Sequence, residues 1–142
     1  MVKVRPVSTE VIERYLALVA NPDSTPADFD DLLHPQMVFT ERPNMFSPTG
    51  SVRPRDVMFE GMAKGRTILT GQSYEVREHQ VVDETHVVTR VPWRGETAID
   101  LGALPAGTML QCDSAMFFEF RDGLIVAQEN FDCFAPPVPP AG

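Results

Sequence analysis

The feature that most constrains this chain is a change of texture at Gly71. Before it, apolar residues recur at the three- and four-residue spacing of helices. After it, they fall in extended runs separated by turn residues. Helices followed by strands, rather than alternating with them, predict an α+β layout: two or three N-terminal helices gathered on one face of an antiparallel sheet, closing it over one pocket.

The helical half reads in three pieces. Ser8 or Thr9, followed by Glu10, forms an N-cap, and Val11, Ile12, Tyr15, Leu16, Leu18 and Val19 make a stripe that stops at Asn21-Pro22. Thr25-Pro26-Ala27-Asp28 supplies a second cap with proline at the first helical position. Phe29, Leu32 and Leu33 follow on one face until His34-Pro35. This places His34 at a helix C-terminus, where an imidazole meets the helix dipole, a role weighed against that of a catalytic base. Residues 37–41 read as a brief strand, 42–53 as a loop, and 55–69 as a third helix in spite of Gly61 and Gly65.

Beyond Gly71, residues 73–82, 86–98, 109–120 and 124–134 read as strands. Asp83-Glu84, the longer segment 100–107 and Arg121-Asp122-Gly123 separate them, and Asp122-Gly123 is a strong hairpin signal. The sheet is expected to be an antiparallel meander. One domain over residues 1–134 precedes an extended or disordered tail, 135–142, with four prolines.

Composition narrows the function. A length of 142 residues supports one core, and therefore one site. The net charge of -8 repels phosphate backbones and anionic lipid surfaces, so neither nucleic acid nor membrane is an expected partner. MVKVRPVSTE has no apolar leader core and no run suits a membrane helix, which makes the cytoplasm the expected location. Cys112 and Cys133 are expected to be reduced and unpaired. His34, His79 and His86 are scattered without ligand spacing, so no metal is expected. No repeat, phosphate-binding glycine loop or nucleophile elbow is present.

With Glu-Arg-Tyr15 on the first helix and Val-Phe-Thr-Glu41-Arg-Pro on the first strand, the order of elements from about Val11 to Phe134 resembles the nuclear-transport-factor-2-like superfamily. Its enzymatic branches include ketosteroid isomerases, SnoaL-like polyketide cyclases and limonene epoxide hydrolases. The resemblance implies a cone-shaped α+β barrel around an apolar cavity, with Tyr15 at the position of the isomerases' oxyanion-binding tyrosine and Glu41 at that of their general base. Their second oxyanion acid falls near Met116. The segments Ala103-Leu104-Pro105-Ala106-Gly107, Phe117-Phe118-Glu119-Phe120 and Asn130-Phe131-Asp132 are similar to the epoxide hydrolases. The Arg-x-Asp pair of that branch falls at Thr97 and Ile99, and its last-strand Asp at Asn130.

Strand alternation puts Gln128, Asn130 and Asp132 on one face and Cys133 on the other. Periodicity leaves open whether that face is solvated or lines the cone; the resemblance favours the cone. Cys112, Ser114, Met116 and Phe118 share a face of the preceding strand, and Thr89, Val91 and Trp93 one of the middle strand, each readable as ligand wall or plain core. Trp93 could floor a pocket through its area and its indole N–H. Glu41, among Phe39, Met45 and Phe46, is either a desolvated base or a surface carboxylate paired with Arg42 or Arg53. Tyr15 is either a donor to a developing oxyanion or a buried phenol satisfied by backbone.

The first reading is an enzyme without metal or organic cofactor, acting by general acid–base proton transfer on a small hydrophobic polyketide-, terpene- or steroid-like molecule. Glu41, Tyr15, Asp132 and Asn130 would carry the chemistry, and Gln128, Trp93, Ser114, Met116, Phe118 and Thr89 would bind substrate. Epoxide hydrolysis is the second chemistry, and a non-catalytic ligand-binding or dimerisation module the alternative from another class. A homodimer through the outer sheet face, with Val88, Arg90, Phe117 and Glu119, is also expected.

Overall fold

The first helix, α1 (Thr9–Ala20), buries Ile12, Tyr15 and Leu16 and leaves Glu13, Arg14 and Ala17 outside. The computed structural model describes residues 9–141, so the alternative cap Ser8 lies outside the described residues. A single 3-10 turn, Pro26–Phe29, follows, capped by Thr25 and Asp28. It plugs the end of the core with Phe29, which is 1% exposed and meets Tyr15 edge-on at 6.0 Å.

Here the structure corrects the sequence reading. The second helix does not continue to Leu33; strand β1 (Leu33–Glu41) begins there instead. Leu33 aligns in parallel with Ile125 of the last strand, and burial in the sheet replaces the expected helical face. His34 is therefore a strand residue, its Nδ1 accepting a bond from the backbone N–H of Gln36 at 3.0 Å. Pro35 sits where the β1 register shifts, since a proline cannot donate to the ladder. The segment 42–53 is likewise not all loop, because Ser51–Pro54 forms β2 against β1.

Helix α2 (Arg55–Ile68) matches expectation, and β3 (Leu69–Tyr74), β4 (Glu78–Val81), β5 (His86–Thr97), β6 (Met109–Arg121) and β7 (Leu124–Phe134) follow. Strands β3 and β4 lie along β5 where one strand, 73–82, was expected. Pro92 of β5 accepts a bond from the Glu75 N–H but has none to return, and the ladder is interrupted there. Asp122 and Gly123, both at positive φ, make the two-residue turn from β6 to β7, as their residue types require.

The sheet order is β2-β1-β7-β6-β5-β3, with β4 beside β5. It is not a pure meander: β7 returns to lie parallel to β1, while its other pairings are antiparallel. The sheet curls without closing, and α1 and α2 cover its concave face. The core there joins Ile12, Phe29, Leu32, Met37, Val91 and Phe118. The tail continues along β6, where Val138 and Met109 exchange bonds of 2.8 and 3.0 Å. No helix among the described residues is long and apolar enough to cross a membrane.

Candidate active site

Strand alternation and sheet register build the site. Glu41 ends β1 opposite Asn130 of β7, and Asn130 and Asp132 face Met116 and Ser114 of β6. The next strands contribute Trp93 opposite Cys112 and Tyr74 opposite Trp93. These residues line a cavity of about 470 Å³, closed further by Ile68 of α2 and by Leu101 from the 98–108 connection. Phe46, Phe134 and Trp93 form an aromatic row along it, with ring centroids 4.8 and 6.3 Å apart.

Three polar groups mark one end of this apolar chamber. Glu41 is half-buried, and Asn44 Nδ2 donates to its Oε1 at 2.8 Å. It pairs with neither arginine considered for it: Arg42 faces Glu129 at 3.7 Å and Arg53 lines a second cavity. Met45, expected beside Glu41, is turned to solvent, whereas Phe39 and Phe46 do line the chamber. Asp132 accepts a bond from Ser114 Oγ at 2.6 Å. Desolvation holds its carboxyl above the usual carboxylate range; the Ser114 bond opposes this and the charge of Glu41 adds to it.

The third polar group is Tyr74, which the sequence reading missed. Burial raises its phenol pKa, and the nearby Asp132 and Cys112 raise it further, so it stays protonated as a donor. Its only sequence signal was an aromatic residue at the start of the expected strand 73–82; its neighbours Asp132 and Cys112 come from β7 and β6, far along the chain. Cys112 is pushed up to about 12 by desolvation and by Asp132, Asp113 and Cys133, which keeps it a thiol and not a nucleophile. Cys133 is exposed on the opposite face.

The structure puts Tyr15 elsewhere. It lines a smaller cavity of about 180 Å³ under α1 and α2, which shares Phe39, Tyr74 and Asn130 with the larger one. Its hydroxyl donates to Gln128 Oε1 at 2.5 Å, and Gln128 Nε2 donates to Asn130 Oδ1 at 2.9 Å. The single phenolic proton is thereby directed at Gln128, which links Tyr15 to Asn130. Its pKa is raised, first by burial and then by Tyr74.

These elements match a known domain. The family model for the SnoaL-like domain matches residues 12–128. The chain belongs to the SnoaL-like domain family. It is thus a member of the nuclear-transport-factor-2-like superfamily that the order of its elements resembles. Among solved structures, it is similar to IdmH of Streptomyces antibioticus, a candidate polyketide cyclase, at 19% identity and a TM-score of 0.72, over 87% of this chain and 90% of that one. A SnoaL-like candidate cyclase of Jannaschia sp. CCS1 matches at 15% and 0.67, over 93% and 91%. A limonene-epoxide-hydrolase-like enzyme of Mycobacterium tuberculosis matches at 17% and 0.63, over 87% and 80%. At these identities the likeness is one of fold. No curated protein matches in sequence.

Within this SnoaL-like domain, the sequence-predicted residues separate into three places. Glu41, Asn130, Asp132, Trp93, Ser114 and Met116 come together in the larger cavity. Gln128 and Tyr15 belong to the smaller one. Phe118 and Thr89 line neither: Phe118 packs edge-on against Tyr15 at 6.2 Å, and Thr89 bonds His79 Nδ1 at 2.8 Å. Both are beneath the cavity floor, because the curl of the sheet turns the far ends of β5 and β6 into the core under α1. Trp93 contributes its ring, but its indole N–H is given to Gln72 Oε1 at 3.2 Å. Tyr15→Phe in the SnoaL-like domain is expected to cost about 1–3 kcal/mol, since it strands a buried amide oxygen; urea unfolding of the two proteins measures this.

Proposed function

We propose that the protein is a cofactor-independent enzyme that moves a proton at carbon next to a carbonyl of a small, largely apolar molecule. The observation that carries this reading is the pairing of two carboxyl groups, Glu41 and Asp132, at one end of an otherwise apolar chamber. Two neighbouring carboxyls with different surroundings divide naturally into an acid and a base. Glu41, half-buried and oriented by Asn44, takes the proton from carbon. Asp132, whose affinity for a proton is raised by desolvation and by the charge of Glu41, is the acid of the pair and in its protonated form donates to the oxygen as enolate charge develops there. Tyr74 takes the donor role first assigned to Tyr15. Isomerisation, cyclisation and dehydration all begin with this step.

The experiment is hydrogen exchange into β-tetralone, an enolisable apolar ketone, followed by proton NMR in D₂O. Loss of the signal from carbon next to the carbonyl faster with protein than with buffer is the expected result. No acceleration with this or other enolisable apolar ketones would leave the binding-module reading standing. Epoxide hydrolysis has less support, because Thr97 is tied to Pro105 O and Thr108 N at 2.9 and 3.0 Å and Ile99 is exposed, so neither enters the chamber.

The homodimer expectation is retained as part of the proposal. Phe117 and Phe131, 44% and 40% exposed, stack edge-on at 5.4 Å on the outer sheet face. An apolar patch in the middle of a sheet is a surface that a second copy covers. Light scattering is expected to return twice the chain mass, and a monomer mass would refute it.

A further inference from the structure

The smaller cavity is lined by a cation, Arg53, that no acidic side chain neutralises among the described residues. Among the described residues, three arginines are half-buried: Arg53, Arg55 and Arg66. Arg55 reaches Asp30 at 2.7 Å and Leu33 O at 2.9 Å, and Arg66 is held by Ser24 and by the Asn21 carbonyl. Arg53 has no acidic or hydrogen-bonding partner among the described residues, in a chain with twenty acidic side chains against twelve basic ones. A half-buried guanidinium without a protein partner keeps its donors free for an anion that enters the cavity.

Its position is built and not accidental. Arg53 is paired with Phe39 across β2 and β1, so the two side chains share the face that looks into the cavity. Beneath the guanidinium lies Gly61, in the middle of α2. A Cβ on Gly61 would stand 2.7 Å from Arg53 Nη1. Glycine inside a helix costs about 1 kcal/mol relative to alanine, and this one makes the room that Arg53 occupies. The cavity wall next to it adds Asn130, which lines both cavities; its Oδ1 is taken by Gln128, and its amide N–H groups have no hydrogen-bond partner among the described residues.

We propose that Arg53, with the Asn130 amide, is an anion subsite that binds a carboxylate on the substrate while the apolar body of that substrate fills the larger chamber. A planar carboxylate matches the fork of a guanidinium, and the cavity of about 180 Å³ suits a small terminal group. The inference rests on the larger chamber being the substrate site, and it names the substrate class: a hydrophobic molecule bearing a carboxylic acid.

Decanoate and decanol, which differ only in the head group, test it through quenching of Trp93, the sole tryptophan and a wall of the larger chamber. Decanoate is expected to bind about tenfold tighter than decanol, the gain of one charge-assisted pair. Arg53→Met is expected to remove that preference and leave decanol binding unchanged. Gly61→Ala, which favours the helix and displaces only the end of a flexible side chain, is expected to reduce it in the same direction. Equal binding of the two probes to the wild type, or a preference that survives Arg53→Met, would overturn the anion subsite alone. Failure of decanol itself to quench Trp93 would overturn the chamber as an apolar ligand site, and the subsite with it.

Discussion

Glu41→Gln and Asp132→Asn are each expected to slow proton exchange into β-tetralone by about 10²–10⁴-fold, the usual contribution of a positioned acid or base. Both replacements keep shape and hydrogen-bonding capacity. Asn44 can still donate to the amide oxygen introduced at position 41, and Ser114 to the one at position 132, so a loss of rate is not a loss of fold. The two variants differ in stability. Asp132 has a raised native pKa, so between the ordinary carboxylate value of about 3.9 and that raised value the native state keeps a proton the unfolded chain has lost. Stability from this group therefore falls as pH rises through that window and levels off above it. Asp132→Asn removes the penalty and is expected to raise Tm at neutral and alkaline pH while leaving it unchanged near pH 3, below the window. Scanning calorimetry across pH checks this. An unchanged exchange rate in both variants would remove the acid–base assignment, whatever the calorimetry returns.

Phe29→Ala has the largest expected effect on folding. The ring is 1% exposed and touches α1 through Tyr15 and α2 through Phe59, with centroids 6.0 and 5.2 Å apart. A single 3-10 turn carries it, too short to stabilise itself. Its truncation is expected to cost about 3–5 kcal/mol, a large share of the roughly 5–15 kcal/mol that holds a domain together. Equilibrium unfolding in urea measures the loss, and a cost under about 1 kcal/mol would mean that the 3-10 turn does not hold the helices to the sheet.

The comparison of α1 with the 3-10 turn shows what was legible. The stripe from Val11 to Val19 has local periodicity, caps and a proline stop that agree, and the helix forms as read. Around Phe29 to Leu33 the same kind of apolar spacing is ambiguous over so few residues, and pairing with β7 decides for strand. The alternation of β7 likewise put Gln128, Asn130 and Asp132 on one face from sequence alone, and they do face the concave side.

Local chemistry by itself determined the two α-helices, the run of strands after Gly71, the Asp122-Gly123 turn and which side chains of each strand share a face, because these depend on neighbours a few residues apart. Tertiary structure decided everything that depends on curvature and on distant strands meeting. The return of β7 beside β1 puts Glu41 near Asp132, and the curl of the sheet carries Tyr74 across to them. The same curl sends Phe118 and Thr89 into the core, moves Tyr15 behind Phe39, and leaves Arg53 facing a cavity instead of Glu41. No spacing along the chain encodes those distances, since they arise from how far a twisted sheet bends over the helices packed in its hollow.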